Sequence, residues 1–304
     1  MSLVNFMQAG IGSITLLFTY IFIRDGAKDY NGKLSKTSWT GLSVVGAITI
    51  FFDTLGIGCY APQTALFKFF KMVPDRLIPG TLNTCCILPM AAESIIFITI
   101  IKVEPLTLIT MIAASTIGAV IGAGFVAKLP EKKIQLGMGI ALLVVAITIT
   151  AGQLGLMPIG GEAIGLAGFK LIFAVAVSLV LGALMTIGIG AYAPMMALVY
   201  ALGMSPRVSF PIMMGACAFL IPAAGMKFVK EGAYDLKAGI AINLAGLVGV
   251  VIAAYIVKEM PLTLLKWLVV GVILYTSSMM LRSAFKNEES KIDIENENNI
   301  NTNT

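Results

Sequence analysis

The chain has 304 residues, of which 58% are hydrophobic and only 12% are charged, with a net charge of +5 and a mean hydropathy of +0.93. A water-soluble protein has about 25% charged residues, so this composition excludes a soluble globular fold and predicts an integral membrane protein. Histidine is absent, which removes the commonest general base and metal ligand and disfavours a metalloenzyme. We expect no metal, no cofactor and no enzymatic activity.

Nine apolar segments follow one another along the chain, and several approach or exceed the roughly 20 residues that cross a bilayer as a helix. They cover residues 4–23, 40–55, 77–101, 106–127, 134–151, 171–187, 206–228, 236–257 and 262–281. None alternates with the two-residue period of an outer-membrane barrel, so the predicted fold class is an all-α, polytopic membrane protein. We interpret the first segment as a mature helix and not as a signal peptide, because its basic residues follow it.

The heptapeptide GIGCYAP at residues 56–62 recurs as GIGAYAP at residues 188–194. Further matches keep the same offset of 132 residues, among them Pro74 with Pro206 and Cys85 with Cys217. A register held over this distance predicts two homologous halves. The predicted organisation is an extra N-terminal transmembrane helix with a basic loop (1–38), a first repeat (39–153), a connecting loop (154–167), a second repeat (168–282) and a disordered cytoplasmic tail (283–304).

Each heptapeptide opens a short apolar piece, at 62–72 and 194–204, whose 11 residues are too few to span a bilayer. We expect each piece to be the returning arm of a re-entrant helical hairpin, which leaves three spans in each half and makes the halves inverted. This topology divides the lysines and arginines 16 inside to 5 outside, whereas a spanning first arm divides them 12 to 9. The positive-inside rule favours the hairpins, places the C-terminal tail in the cytoplasm of a cell-membrane protein, and accounts for the net charge without a nucleic-acid partner.

The two breaks also predict an anion site. The glycines permit torsions that a continuous helix forbids, and the proline that follows starts a new helix. Hairpins from opposite faces direct both short-helix N-termini to the midplane, where free N–H groups and about half a positive charge attract an anion. The predicted substrate-binding residues are Gly56, Gly58, Cys59, Tyr60, Ala61, Pro62, Gln63, Asn83 and Thr84 in the first half, and Gly188, Gly190, Ala191, Tyr192, Ala193 and Pro194 in the second. Thr64 is a further polar contact beside Gln63.

Ordinary helix packing is the alternative interpretation of these small residues. The four cysteines lie in apolar segments, so we interpret them as packing residues and not as a disulfide framework. Two acids, Asp53 and Glu93, lie at membrane depth, where ionisable groups are costly and usually functional. Either one of them carries a proton that couples to transport, or both are neutral acids bonded to backbone at a helix break. Met185 and Gly225 occupy the matching positions of the second half.

Several short motifs carry a family resemblance. The GIG break with its short helix, the kinked Pro/Ser/Thr-rich helix that follows, the LPE element at residues 129–131 and the G-x-hydrophobic-D element at residues 232–235 together resemble the sulfite exporter TauE/SafE family, also called the 4-toluene sulfonate uptake permease family. The resemblance covers about residues 40–281, and members usually carry GIGGG where this chain has GIGCY and GIGAY. It implies transport of sulfite, sulfonates, sulfoacetate or other small, often sulfur-containing, anions across the cytoplasmic membrane.

The predicted function is a secondary transporter of a small anion, whose two halves rock around a midplane site. Its partners are the anion and the lipid bilayer, and a homo-oligomer is left open. An anion channel of the same architecture is the alternative, and its flux would never exceed passive equilibration. An intramembrane aspartyl protease is disfavoured, because it needs a second aspartate at membrane depth. A dinucleotide site is dismissed, because no strand precedes the glycines and a third glycine is missing.

Overall fold

The computed structural model describes residues 3–28, 37–156, 160–188, 190, 192–256, 267, 270–271 and 273–285. Most of these residues are helical, and the β-structure among them is one isolated bridge between Ala163 and Met204. The predicted all-α class is therefore confirmed for the described part of the chain. Residues 29–36 of the predicted basic loop and nearly all of the predicted tail lie outside the described residues, while Arg24 and Lys28 belong to the first helix.

The helices follow one another with short connections. They are α1 (Leu3–Lys28), α2 (Trp39–Thr54), α3 (Tyr60–Phe69), α4 (Ile78–Cys85), α5 (Ile87–Ile100), α6 (Pro105–Val126), α7 (Glu131–Gln153), α8 (Gly168–Met185), α9 (Tyr192–Ala201), α10 (Ser209–Lys230) and α11 (Leu236–Val251). A π-helical turn at Ile252–Ile256 continues α11, and residues 273–285 are helical and form α12. Two 3-10 turns, Asp75–Leu77 and Pro206–Val208, precede α4 and α10.

The order of these elements repeats. A long helix, a short helix, a 3-10 turn and three further helical units occur first as α2 to α7 and then as α8 to α12. The single helix α10 corresponds to α4 and α5 together, which are separated by a bend of 41° at Cys86. The helix predicted over residues 77–101 is thus broken, and the halves differ at this point.

Six described helices are long and apolar enough to cross a membrane. They are Val4–Lys28, Pro105–Val126, Glu131–Gln153, Gly168–Met185, Pro206–Lys230 and Leu236–Ala254, and the bent pair Asp75–Cys85 and Ile87–Ile100 makes a seventh if it is one span. Large apolar side chains point outward from them, including Leu16, Phe125 and Phe169, which are 71–79% exposed. Lipid is the solvent that such a surface fits. The chain is accordingly a multi-pass membrane protein.

The two halves interlock through their long helices. Helix α2 of the first half packs along α11 of the second, and α8 of the second half packs along α6 of the first. The α6 and α8 backbones are in direct contact, since a Cβ on Gly118 would overlap the Leu179 carbonyl and one on Gly182 would overlap the Ser115 carbonyl. Close contact through small residues is a usual means of packing helices in lipid. Helix α10 lies at the centre and contacts α1, α4, α5, α6 and α9.

The outer ends of each long helix and its short partner lie side by side. The Thr37 hydroxyl, just before α2, donates to the Met72 carbonyl, just after α3, at 2.7 Å. In the second half the Ser205 amide, after α9, donates to the Ala163 carbonyl, before α8, at 2.8 Å. The Lys170 ammonium group in α8 also donates to a carbonyl at the end of α9. The chain therefore reverses direction between α2 and α3, and again between α8 and α9.

Contacts between loops define two ends of the molecule. At the first end, Asp75 pairs with Lys68 of α3 and accepts a hydrogen bond from Gln135 near the start of α7. At the second end, the Glu104 amide, just before α6, donates to the Ile164 carbonyl, just before α8, at 2.9 Å. Helix α6 leads from the second end to the start of α7 at the first. The bond between Thr37 and Met72 lies beside Asp75, and the bond between Ser205 and Ala163 lies beside Ile164.

Candidate functional site

The first break is built around two glycines in left-handed conformations. Gly56 has φ +87° and Gly58 has φ +89°, which side chains with a Cβ rarely adopt. The Gly56 amide donates to the Asp53 carbonyl at 2.8 Å, and the Ile57 amide donates to the Phe52 carbonyl at 3.1 Å. This pair of bonds is the Schellman arrangement, which ends a helix at a glycine. The glycines thus stop α2 and turn the chain into α3.

The second break also ends its helix at a glycine, Gly188. Its φ is +104°, and its amide donates to the Met185 carbonyl at 2.9 Å. Residues 189 and 191 lie outside the described residues. The short helices α3 and α9 begin at Tyr60 and Tyr192, two residues before the prolines that were predicted to start them. A proline is tolerated throughout the first helical turn, because amides there have no intrahelical partner.

The two breaks face each other in the interior. A Cβ on Gly58 would lie 3.0 Å from the Tyr192 ring, and a Cβ on Gly190 would lie 4.0 Å from Cβ of Tyr60. Each break therefore presents a glycine to the tyrosine of the other break. Both tyrosines are buried, and the N-termini of α3 and α9 meet at this point.

Asp53 joins the two breaks through its carboxyl group. Its Oδ1 accepts a hydrogen bond from the Cys59 amide at 2.5 Å, and its Oδ2 accepts one from the Tyr192 hydroxyl at 3.2 Å. The first donor belongs to the N-terminus of α3, and the second belongs to the first residue of α9. Asp53 is fully buried. The arrangement shows that donors from both breaks can converge on the oxygens of one small anionic group.

Glu93 of α5 lies beside Asp53, also fully buried, and the two carboxyl groups are within hydrogen-bonding reach of each other. Glu93 Oε1 accepts a hydrogen bond from the Thr54 hydroxyl at 2.6 Å, whereas no donor in the described part of the chain reaches Oε2. Two buried carboxylates in contact repel each other strongly. The pair is therefore expected to hold at least one proton.

A small cavity lies between the breaks, and we call it the central cavity. Its lining is Asp53, Gly58, Cys59, Tyr60, Met90, Met185, Gly190, Tyr192, Cys217 and Ile221. Its volume is about 10 Å³, which is room for roughly one water molecule. The lining contains no lysine or arginine, so backbone amides and hydroxyl groups are the donors available to an anion there. An oxyanion is larger than the cavity, so the cavity is too small to hold one in this conformation.

All four cysteines gather around this region and are free thiols. Cys59 Sγ lies 3.9 Å from Cys86 Sγ, and Cys86 Sγ lies 3.5 Å from Cys85 Sγ. The amide oxygen of Gln63 accepts from the thiols of Cys85 and Cys86 at 3.5 and 3.4 Å. The prediction of free thiols is confirmed, while their clustering was not foreseen. In the described part of the chain, no group of three or more His, Cys, Asp and Glu side chains has an arrangement that could hold a metal ion.

The break between α4 and α5 is held by Asn243 of α11. Its side-chain oxygen accepts from the Leu88 amide at 2.9 Å, and its Nδ2 donates to the Thr84 carbonyl at 2.7 Å. These are backbone groups that the bend at Cys86 frees from the helical ladder. Asn243 therefore stabilises the bend that carries Cys86 and Glu93 toward the central cavity.

The predicted site residues divide into two groups. Those that line the central cavity are Asp53, Gly58, Cys59, Tyr60, Gly190 and Tyr192. Those described outside its lining are Gly56, Ala61, Pro62, Gln63, Asn83, Thr84, Glu93, Gly188 and Pro194. Ala191 and the side chain of Ala193 lie outside the described residues.

Several residues outside the cavity have local structural roles. Asn83 accepts from the Tyr60 hydroxyl at 3.4 Å, and the Thr84 hydroxyl bonds within its own helix. The predicted set omitted Met90, Met185, Cys217 and Ile221, which line the cavity. The repeat offers a signal for two of them, because Met185 matches Asp53 and Cys217 matches Cys85.

Comparison with known protein families finds a match in the second repeat. The family model described as sulfite exporter TauE/SafE matches residues 163–302. The second half of the chain matches the TauE/SafE family. The predicted resemblance is confirmed over that range, and a match to a transporter family is consistent with a non-enzymatic protein. No curated protein and no solved structure matches the chain.

The match to the TauE/SafE family includes the second break and α9 to α11. Asp53, Glu93 and three of the four cysteines lie before residue 163, outside the matched range. The repeated heptapeptide links the two halves, since the first break uses the same glycines and proline as the second. Asp53, which lines the central cavity, therefore lies outside the matched range, whereas Cys217, which also lines it, lies inside that range.

Proposed function

We propose that the protein is a secondary transporter of small anions, with sulfite, sulfonates or sulfoacetate as the substrate class, across the cell membrane. The observation that carries the proposal is the meeting of α3 and α9, whose N-termini and tyrosines surround one central cavity. Helix N-termini bind anions through free amides and the helix dipole. The TauE/SafE match supports sulfite-type anions as the class.

We propose that α2–α3 and α8–α9 are re-entrant hairpins that enter from opposite faces of the membrane. The bonds from Thr37 to Met72 and from Ser205 to Ala163 support this, because they hold the outer ends of each pair together. Such broken backbone is tolerated at membrane depth only where protein covers it or water fills a cavity. The two repeats then form an inverted pair around the central cavity, as in other secondary transporters.

A carrier fits the small size of the central cavity better than a channel does. A channel needs a continuous path, whereas this cavity holds roughly one water molecule. The substrate must then enter and leave through conformations in which the halves move apart on one side at a time. The interlocked contacts of α2 with α11 and of α6 with α8 are the surfaces on which this movement would occur.

Transport in proteoliposomes tests the function directly. We expect the purified chain to take up radiolabelled sulfite, a sulfonate or sulfoacetate, and a substrate preloaded inside the vesicles to accelerate that uptake. Such acceleration is a property of carriers, because a binding site that holds substrate returns to the outer side of the membrane faster than an empty site does. Thiosulfate and taurine complete the panel, and protein-free liposomes are the control. Uptake of none of these solutes would refute the proposed function, and uptake without acceleration by internal substrate would favour a channel.

Cysteine labelling tests the hairpins. The native cysteines are buried, so single exposed cysteines at Lys28, Arg76 and Lys170 can be labelled over a low background. We expect Lys28→Cys and Arg76→Cys to react from the same side of the membrane and Lys170→Cys to react from the opposite side. If α2 crossed the membrane and α3 stayed at the surface, Lys28→Cys and Lys170→Cys would share a side instead. An impermeant maleimide applied to oriented vesicles distinguishes the two patterns.

A further inference from the structure

The carboxyl group of Asp53 occupies the donors that an anionic substrate would need. It accepts from the Cys59 amide at the N-terminus of α3 and from the Tyr192 hydroxyl at the start of α9. Cys59 and Tyr192 both line the central cavity. A substrate oxyanion cannot bond to them while Asp53 does. The side chain therefore stands where the substrate's oxygens are expected.

Asp53 has an alternative partner within reach. Glu93 lies next to it, and Glu93 Oε2 is fully buried and has no donor among the described residues. Because the pair is expected to hold at least one proton and Asp53 accepts two hydrogen bonds, that proton lies on Glu93 while Asp53 is ionised. Once Asp53 is itself protonated and leaves the Cys59 amide, the two neutral carboxyl groups can hydrogen-bond to each other. Glu93 thus supplies the acceptor for a displaced, neutral Asp53.

We propose that Asp53 is a built-in competitor for the substrate: the arriving anion displaces it from the Cys59 amide and the Tyr192 hydroxyl, and Asp53 takes up one proton and turns to Glu93. The inference rests on the proposed transport function. The proton comes from the aqueous phase to which the cavity is open at that moment. One monovalent anion and one proton then replace one carboxylate charge, so the charge of the site is unchanged.

The surroundings explain why the proton must accompany the anion. The titratable groups that face Asp53 are Cys59 of α3, Cys86 and Glu93 at α5, Tyr192 of α9 and Cys217 of α10. All of these are neutral or negative, and the lining of the central cavity holds no cation. A second negative charge beside an ionised Asp53 would repel it in a medium of low dielectric constant. Protonation of Asp53 removes that repulsion.

The test measures anion binding and proton uptake together. Methanesulfonate is a suitable probe, because it stays a monovalent anion at all pH values near neutrality. For the wild-type protein we expect about one proton taken up per anion, and a dissociation constant that rises about tenfold per pH unit while Asp53 is ionised in the free protein. Asp53→Asn cannot ionise, so it should bind more tightly at neutral pH, bind independently of pH and take up no proton.

Two further variants complete the design. Glu93→Gln should weaken the coupling between anion binding and proton uptake, because it alters the acceptor for the displaced Asp53. Glu162→Gln, which removes an exposed carboxyl group outside the cavity, should retain wild-type binding and proton uptake. Wild-type binding without proton uptake, or the same pH dependence in Asp53→Asn as in wild type, would refute the proposed role of Asp53 as a competitor. Neither result would count against the proposed transport function. Failure of wild type to bind methanesulfonate and sulfite at any pH would instead refute the proposed function.

Discussion

Replacing Gly58 with alanine is expected to reduce anion transport at least about tenfold, because the new methyl group acts on both breaks at once. Gly58 has φ +89°, and a Cβ there would lie 3.0 Å from the Tyr192 ring. The backbone strain costs about 1–2 kcal/mol, and the ring must also move. Since the Tyr192 hydroxyl bonds to Asp53, its displacement disturbs the donors of the central cavity. Displacements near 1 Å are enough to lower activity by about 100-fold in pre-organised sites.

Gly203→Ala is the matched control for this variant. Gly203 has nearly the same torsion, φ +85°, but a Cβ there would have no neighbour within 4 Å. Both substitutions should therefore lower thermal stability through backbone strain, Gly58→Ala by the larger amount because the Tyr192 ring must also move, whereas only Gly58→Ala should lose transport. Initial rates in proteoliposomes and melting in detergent are the two measurements. Equal transport by the two variants would show that the contact between the breaks is irrelevant to function.

Asn243→Leu is expected to destabilise the fold and to abolish transport. The variant leaves the Leu88 amide and the Thr84 carbonyl without partners at the bend between α4 and α5. Each unsatisfied buried group costs about 1–3 kcal/mol, and the bend positions the helix that carries Glu93. We expect a lower melting temperature and a transport rate at the background level of protein-free liposomes.

Thr116→Val controls for the loss of a polar group from a membrane helix. The Thr116 hydroxyl donates to the Ile112 carbonyl within its own helix, and that carbonyl also belongs to the α6 ladder. Its removal should change stability by less than about 1 kcal/mol and should leave transport unchanged. If Asn243→Leu behaved like Thr116→Val, the bend would not depend on Asn243.

Matching positions in the two repeats do not carry matching side chains at the central cavity. The offset of 132 residues predicts equivalent positions, and it correctly pairs the glycines, the tyrosines and the short helices of the two breaks. However, Asp53 has Met185 as its match, and both side chains line the same cavity. The site is therefore asymmetric, because both acids and three of the four thiols come from the first half, whereas the second half contributes Met185, Tyr192 and Cys217. The constant offset between the repeats therefore predicts which positions are equivalent, but not which chemical groups occupy them.

The long-range contacts of the site could not be predicted from local sequence. Tyr192 and Asp53 are 139 positions apart, and the contact between Asn243 and Leu88 spans 155 positions. Hydrophobic periodicity reports which residues are helical and how long each helix is, but it does not report which helices touch. Cys217 likewise joined the cavity only because α10 packs at the centre of the fold.

Sequence alone determined the membrane environment, the positions of the helices and the two breaks, because these depend on local composition and on backbone torsions that only glycine adopts readily. The tertiary structure alone decided that the breaks meet, that Asp53 bridges them and that Asn243 holds the bend between α4 and α5. The physical reason is that buried polar groups must find hydrogen-bond partners, and in this protein those partners come from helices that are distant in the chain.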